Sequence, residues 1–591
     1  MRMVSAPFIT PKLKSRLMSA GFVAGLGFAL RLLHLVFVHD ALVLEPRGVL
    51  DDAFYHQLGT LVASGDLMAG PEIFYLSPLY IYFLGFVYSF LPHGLVGPFF
   101  LQILSGTAGI WLVYKCGETA WNQRAGFWAA LLVALDGMTS LYQCSLLSAS
   151  LDPFLFALFL YALIRTQSKG GVSSWCLAGA SAALMGLNRP NALVLVPLVP
   201  LLAFAADWRP GINARTWKRA AAALVAACAL IAPATVRNYI VSGEPVLLTS
   251  HGGLNFYIGN RQGATGTYRS PEWLTPDVRG QVEGTRTYLS KALGRPVSTG
   301  EVSGILYRRT WEEIKRDPAG WLKLLGTKFL YVLNAKEAGL NNLSLEYIRE
   351  LFSSVLWLMP VGMGVLVPLG IAGAVAGRND LKAKMVALLA LAYGATVILF
   401  FVSARYRLPL HVPLALLGGY AADRFYQAVK LRWRKELLLL PASFVLALSI
   451  SWLDVGIYSG EAQTRLLHAL RLVEEGRINK AESVIEGMPE GAMNPFYWRF
   501  KLARAYKAAG AYQQAENEYK TLIKMAPDYG PLRCELAELL VLAGRTDAAR
   551  AELEKGLELD PSHKRCRQAL SRAKRAPGID ASSLPEQGPS E

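Results

Sequence analysis

Leu50-Asp51-Asp52-Ala53-Phe54-Tyr55-His56 sets two adjacent carboxylates just beyond the first long apolar run of the chain. Acidic side chains at a lipid boundary cost desolvation free energy unless they are hydrated, paired or in use. Two readings therefore stand side by side. In one, Asp51 caps a short interfacial helix, since Asp is a favoured N-cap residue and Ala53 to Ala63 reads as helical. In the other, the pair works at the outer face of a membrane. The surrounding sequence has to decide.

Of the 591 residues, 53% are apolar and only 18% charged, the balance of a membrane protein. The formal charge is +16, but Lys and Arg cluster between apolar runs, so the surplus marks topology rather than nucleic-acid binding. Cys116, Cys144, Cys176, Cys228, Cys534 and Cys566 are scattered, with no metal-ligand spacing. Neither a disulfide framework nor a zinc site is indicated.

Apolar segments near 17–38, 98–115, 125–142, 153–165, 173–188, 190–206, 219–235, 352–376, 383–402, 408–424 and 436–453 predict about eleven membrane spans. The first follows Lys12, Lys14 and Arg16 and lacks a cleavage site, so it reads as a retained span. Ser77 to Leu91, short and containing Pro78, reads as an interfacial or re-entrant helix. Leaving it out puts the basic clusters at 12–16, 115–124, 165–169, 209–219, 378–384 and 424–435 on one side. The segments 39–97 and 236–351 and everything after the last span then face the other side. Trp321 to Asn334 suits a helix in the membrane interface or an ordinary packed surface helix.

After Leu453 the sequence turns polar. Glu475-Gly476, Ala509-Gly510 and Ala543-Gly544 recur every 34 residues, as do Ala481, Ala515 and Ala549. That period is the tetratricopeptide signature. The predicted organisation is a cytoplasmic N-terminus at 1–16, a membrane region at 17–458, a repeat region at 459–575 and a disordered tail at 576–591.

The topology brings further polar residues to the face of Asp51 and Asp52. They are Asp152 before Pro153, Arg189 in the turn Asn188-Arg189-Pro190-Asn191, Arg237-Asn238, and Arg405-Tyr406-Arg407. Singly, each suits a helix end or a snorkelling cation. Together they are carboxylates ringed by guanidinium groups, a constellation for binding phosphate beside a general base. Arg31 lies inside the first span, where an unpaired Arg costs roughly 2.5–3.5 kcal/mol. It either reaches a lipid phosphate or pairs with Asp136.

These residues resemble the GT-C superfamily of polytopic glycosyltransferases, in the branch of protein O-mannosyltransferases and the aminoarabinose transferases of lipid A. Asp51-Asp52-Ala53-Phe54-Tyr55 is similar to the acidic pair and aromatic of that branch's first external loop. Ala63-Ser64-Gly65-Asp66, Ser77-Pro78-Leu79-Tyr80, Leu151-Asp152-Pro153-Phe154 and Arg405-Tyr406-Arg407-Leu408-Pro409 follow in order, and the likeness spans roughly 17–453. It implies an all-α bundle of the GT-C type followed by a helical repeat solenoid. It also implies sugar transfer from a polyprenyl-phosphate donor to an acceptor hydroxyl on the external side, with inversion. Asp51 is then the general base, with Asp52 and Asp152 orienting it or binding acceptor. Arg405, Arg407, Arg237, Arg189 and Arg31 hold donor phosphate; Tyr55, His56, Tyr406 and Asn238 meet sugar or acceptor. Metal use varies across that superfamily, so the resemblance fixes no cofactor; the carboxylates with His56 could hold a divalent cation. The expected setting is a bacterial cytoplasmic membrane, with site and repeats periplasmic and the repeats recruiting an acceptor protein, a glycan or an assembly partner. A flippase for a lipid-linked intermediate and a membrane-anchored repeat scaffold are the competing readings; a transporter's repeated half is not visible.

Overall fold

The computed structural model describes residues 18–46, 50–206, 214–271, 273–274, 278, 280–339, 343–457, 460–488, 493–560 and 564–573. The basic stretch expected to be cytoplasmic at 1–16 and the tail expected from 576 onward lie outside the described residues. The chain divides into two units, Met1–Ser459 and Gly460–Glu591.

Helices build the first unit, and among the described residues there is no strand, only isolated bridges from Asp136 to Val361 and from Thr267 to Val402. In chain order they begin with α1 (Ala20–Val38), α2 (Asp51–Ala63), α3 (Pro78–Phe90), α4 (Val96–Ala120), α5 (Gln123–Ala134) and α6 (Gly137–Gln143). Next come α7 (Asp152–Lys169), α8 (Val172–Asn188), α9 (Leu195–Ala206), α10 (Ala214–Ser242), α11 (Gly252–Asn260), α12 (Thr285–Leu293) and α13 (Thr299–Arg316). The unit closes with α14 (Pro318–Leu333), α15 (Leu345–Leu351), α16 (Met363–Ala376), α17 (Leu381–Leu399), α18 (Ala404–Leu431) and α19 (Arg434–Ser451). By length and composition, α1, α4, α10 and α17 can each cross a membrane.

Two of the expected spans are not continuous helices. The segment 125–142 breaks between α5 and α6, where the Asp136 carboxylate caps α6 by accepting from the Thr139 amide. The segment 352–376 breaks at Pro360, before α16. The breaks meet: the Gly137 amide donates to the Val361 carbonyl at 3.1 Å and the Val361 amide to the Leu135 carbonyl at 3.1 Å. Irregular backbone inside a membrane survives only where protein satisfies its polar groups in this way. Arg31 completes the repair, donating to the carbonyls of Val133 (2.8 Å) and Ala134 (2.9 Å) and to Gln143 Oε1 (2.8 Å). Its donors are thus spent on acceptors inside the bundle, and Asp136 has another partner, its carboxylate lying 2.6 Å from His411 Nδ1.

Ser77 to Leu91 forms α3, about 20 Å long and short of the roughly 30 Å hydrocarbon core. It crosses α2 so closely that a Cβ on Gly85 would lie 2.3 Å from Val62 Cγ1, and one on Gly59 2.7 Å from Leu84 Cβ. The interfacial candidate at Trp321 to Asn334 is α14. Its Lys328 is fully buried and donates to Asn260 Oδ1 at 2.9 Å, so this helix packs by a polar side as well as an apolar one.

The second unit consists of α20 (Glu461–Glu474), α21 (Ile478–Glu486), α22 (Pro495–Ala508), α23 (Tyr512–Met525), α24 (Gly530–Leu542), α25 (Thr546–Leu559) and α26 (Lys564–Ala573). The period of 34 has a backbone cause. Gly476, Gly510 and Gly544 follow α20, α22 and α24 with φ of +73°, +77° and +76°, a left-handed region that favours glycine. Ala481, Ala515 and Ala549 are fully buried where the helices of each pair cross. Arg499 meets Glu518 at 2.8 Å, and 34 residues later Arg533 meets Glu552 at 2.9 Å.

Cys534 and Cys566 form a disulfide with Cα atoms 5.5 Å apart, against the sequence expectation of none. A separation of 32 residues carries no spacing signature, but stacking of neighbouring repeats sets the first helices of each side by side. Closing a loop of that size contributes about 3–4 kcal/mol in the chain-entropy account. Cys566→Ser is expected to lower the melting temperature of the repeat unit in the full chain, and reductant should do the same to the wild type. Equal melting with and without reductant would show that the bond contributes nothing.

Candidate active site

Asp51 and Asp52 occupy the first turn of α2, where unpaired amides favour negative charge. The N-cap is Leu50, which makes no side-chain cap, so Asp51 does not play the capping role. Its carboxylate instead reaches the first turn of α18, where Arg405 Nη1 donates to Asp51 Oδ2 at 2.5 Å. Both side chains keep some solvent access, 18% for Asp51 and 16% for Arg405. Burial opposes the charge of Arg405, but the neighbouring Tyr406 and Asp51 outweigh it and hold the guanidinium pKa above its ordinary value.

Residues two apart on a helix point about 200° away from each other. Arg407 accordingly leaves this site and enters a fully buried cage, donating to the carbonyls of Tyr331 (2.7 Å), Asn334 (2.7 Å) and Lys336 (2.8 Å) and to the Glu337 carboxylate. It fixes the start of α18 and is not presented to a ligand.

Asp152 and Arg189 form a second pair. Arg189 Nε donates to Asp152 Oδ2 at 2.6 Å, and Asn188 Nδ2 donates to Oδ1 of the same carboxylate at 2.8 Å. Asp152 is fully buried, so it holds Arg189 in place rather than facing substrate. The Tyr406 ring lies between the two cations, its centroid 5.1 Å from the Arg189 guanidinium carbon and 5.2 Å from that of Arg405.

A cavity of about 280 Å³ opens onto Asp51, Arg405, Arg189, Tyr406 and Tyr55. Sequence reasoning named all five. Asn191, from the turn quoted with Arg189, also lines it; His251, Asn255 and Tyr307, which sequence reasoning did not name, add to the polar wall. His251 Nδ1 is held by the Tyr75 carbonyl, so that nitrogen carries the proton and Nε2 is the acceptor. Burial pushes its pKa down to about 4, which keeps the ring neutral near pH 7. The only sequence signal was the Gly-rich run Ser250-His251-Gly252-Gly253, and Gly253 packs against the Ser303 backbone too closely for a Cβ. Leu193, Val397 and Phe400 form an apolar side of the cavity, at the ends of elements that run on into α9 and α17.

Other expected site residues stand behind the walls. Arg237 donates to the carbonyls of Met68 (2.7 Å), Gly70 (2.8 Å) and Glu72 (2.5 Å), closing the loop after α2. Asn238 ties that loop to the next, accepting from the Phe74 amide at 3.2 Å and donating to the Leu248 carbonyl at 2.8 Å. Leu76 and Leu248 line the cavity, so both residues shape it without reaching in. His56 turns to Tyr88 Oη at 2.8 Å, and Asp52 does not line the cavity. Among the described residues, no three His, Cys, Asp or Glu side chains converge as a metal-ligand set.

Residues 76–236 match a family model described as dolichyl-phosphate-mannose-protein mannosyltransferase, and residues 506–573 match a tetratricopeptide repeat model. The first match contains Asp152 and Arg189 but neither Asp51 nor Arg405. No curated protein matches. Similar solved structures include the Archaeoglobus fulgidus oligosaccharyltransferase in complex with Zn and sulfate (TM-score 0.42, 13% identity), covering 80% of this chain and 58% of that one. The same archaeal enzyme with an inhibitory peptide and a dolichol-phosphate scores 0.38 at 13% identity, with coverages of 80% and 60%. ArnT from Cupriavidus metallidurans bound to undecaprenyl phosphate scores 0.37 at 15% identity, with coverages of 85% and 80%. This chain thus spans under two thirds of the archaeal enzyme's length. At these scores, neither relative's chemistry transfers to it.

Proposed function

We propose that this chain, which joins a mannosyltransferase-type membrane segment to tetratricopeptide repeats, is a membrane glycosyltransferase that moves a sugar from a polyprenyl-phosphate donor to an acceptor hydroxyl. One observation carries the reading: a carboxylate and two guanidinium groups share a cavity with an apolar side toward α9 and α17. Two cations suit a phosphate, and the apolar side suits the first isoprene units behind it.

Before donor arrives, Arg405 is spent on Asp51. A donor phosphate competes for that guanidinium, with Arg189 as second contact, and frees the Asp51 carboxylate. Asp51 then takes the proton of the acceptor hydroxyl as its oxygen attacks the anomeric carbon from the face opposite the phosphate. The C1–O bond breaks, its electron pair stays on the leaving lipid phosphate, and the configuration inverts. That leaving group needs little protonation, so one base and cationic stabilisation suffice. His251 Nε2 accepts a hydrogen bond from a sugar or acceptor hydroxyl. Asp152, Arg407, Arg237 and Asn238 hold the cavity in shape.

The Cys534–Cys566 disulfide supports placing the repeats in an oxidising compartment, which agrees with a site and a C-terminus on the external side. The repeats recruit an acceptor protein or an assembly partner. The test is sugar release from labelled polyprenyl-phosphate donors by the full chain and by a chain ending at residue 459. Both are expected to transfer sugar to a small soluble acceptor. A full chain inert toward every donor rejects the enzyme reading, and loss of all activity in the short chain alone favours a scaffold whose working part is the repeat unit.

A further inference from the structure

A second polar pocket lies at the other end of α18. Arg424 sits nineteen residues beyond Arg405, about 28 Å along the helix axis, which is close to the thickness of a bilayer core. There α18 ends at Arg432, whose φ of +55° turns the chain sharply through Trp433 into α19. The turn brings Arg424, Trp433, Arg434 and Lys435 around a pocket of about 360 Å³, with Glu436 at its edge.

Three independent features of this pocket fit an anion. The Arg424 guanidinium carbon stacks 4.5 Å over the Trp433 ring, and its Nε is buried without a hydrogen-bond partner. Trp433 provides no side-chain cap for α19, so the amides of the first turn point outward with the positive end of an 18-residue helix. Among the described residues, neither Arg424, Arg434 nor Lys435 forms an ion pair, while the adjacent Asp423 is occupied by Arg124, Asn122 and Gln427.

The flanking surface says which kind of anion. Phe425 (44% exposed) and Val429 (55%) on α18 and Leu438 (71%) on α19 lie within a few residues of the pocket. A free phosphate has no use for that apolar shelf; the acyl chains of a lipid do, and a Trp at its edge suits the membrane–water interface.

We propose that the α18–α19 turn binds the phosphate headgroup of an anionic membrane lipid, at the membrane surface opposite the Asp51 cavity. The pocket does not depend on the chemistry assigned to that cavity. Arg424, Arg434, Lys435 and the first-turn amides hold the headgroup, Trp433 lies beside the glycerol region, and the chains run down the faces of α18 and α19.

The full chain, purified in detergent, is incubated with phosphatidylglycerol, phosphatidylcholine or inorganic phosphate, and bound lipid is read by native mass spectrometry. Phosphatidylglycerol should be retained at least tenfold over phosphatidylcholine, and millimolar inorganic phosphate should not displace it. The variant R424Q/R434Q/K435Q should lose that preference. A control with the same charge change elsewhere, R165Q/R378Q/K384Q, should keep it. Phosphatidylglycerol carrying brominated chains should quench a fraction of the tryptophan fluorescence that disappears in W433F. Equal loss in the control variant would reduce the effect to net charge, and displacement by inorganic phosphate would make this a free-phosphate site. Either result overturns the proposal, as does quenching of undiminished amplitude in W433F. Because the three mutated side chains pair with no acid, their removal should leave the melting temperature within a few degrees, which separates lost binding from lost folding.

Discussion

Asp51→Asn is expected to slow sugar transfer severely while leaving the donor bound. In vesicles containing the full chain and a polyprenyl-phosphate sugar, turnover is expected to fall by about a hundred- to ten-thousandfold, the range a positioned general base contributes. Asn has the shape of Asp but accepts no proton and carries no charge to hold Arg405, which loses its partner at 2.5 Å. That guanidinium becomes freer for phosphate, so affinity for the polyprenyl phosphate should stay level or rise. This opposite movement of rate and affinity distinguishes loss of a base from general damage. Transfer at the wild-type rate would remove Asp51 from the mechanism, and failure to bind donor would place the defect in the lipid site.

Arg405→Gln has the complementary signature. A charge-assisted hydrogen bond is worth about 1.5–3 kcal/mol, so affinity for the donor phosphate should drop by about ten- to a hundredfold. Titration of the lipid phosphate against the purified chain reads this directly, and an unchanged dissociation constant would reject the phosphate role. Arg407→Gln is the natural comparison. Its side chain is fully buried among the carbonyls of Tyr331, Asn334 and Lys336, and removing it leaves those acceptors unpaired, so it should lower the melting temperature before it touches donor affinity. In the double variant of Asp51 and Arg405 any gain seen in Asp51→Asn should vanish, because that gain depends on the guanidinium Asp51 holds and the two sites are in contact.

Much of this was legible in one dimension. Long apolar runs and the basic clusters between them come from composition over about twenty residues, and among the described residues four helices carry the length and hydropathy to cross a bilayer unaided. The repeats announced themselves through Gly476, Gly510 and Gly544, because the turn needs the same backbone angle each time. Among candidate site residues, Asp51, Arg189, Arg405, Tyr406 and Tyr55 do line one cavity.

Where sequence reasoning stopped, a distant partner decides what a side chain does. Arg31 reads as a cation that reaches a lipid phosphate or pairs with Asp136, and only the break at Leu135-Asp136, about a hundred residues away, explains its place in the first span. Asp152 reads like a carboxylate that orients the base or binds acceptor until Asn188 and Arg189 are seen to occupy both its oxygens. Arg405 and Arg407 belong to one motif, yet helix pitch sends one to the cavity and the other into a carbonyl cage. His251 entered unannounced from the long segment between α10 and α17, and Cys534 found Cys566 through the stacking of repeats.

The division follows the range of the forces involved. Apolar runs, helix period, caps and glycine turns act between residues a few positions apart, so the sequence alone determined the membrane-protein class, the helical architecture and the repeat. Asp51 and Arg405 are 354 residues apart, and which of many carboxylates meets which of many guanidinium groups is settled only when helices pack and each buried charge must find a partner.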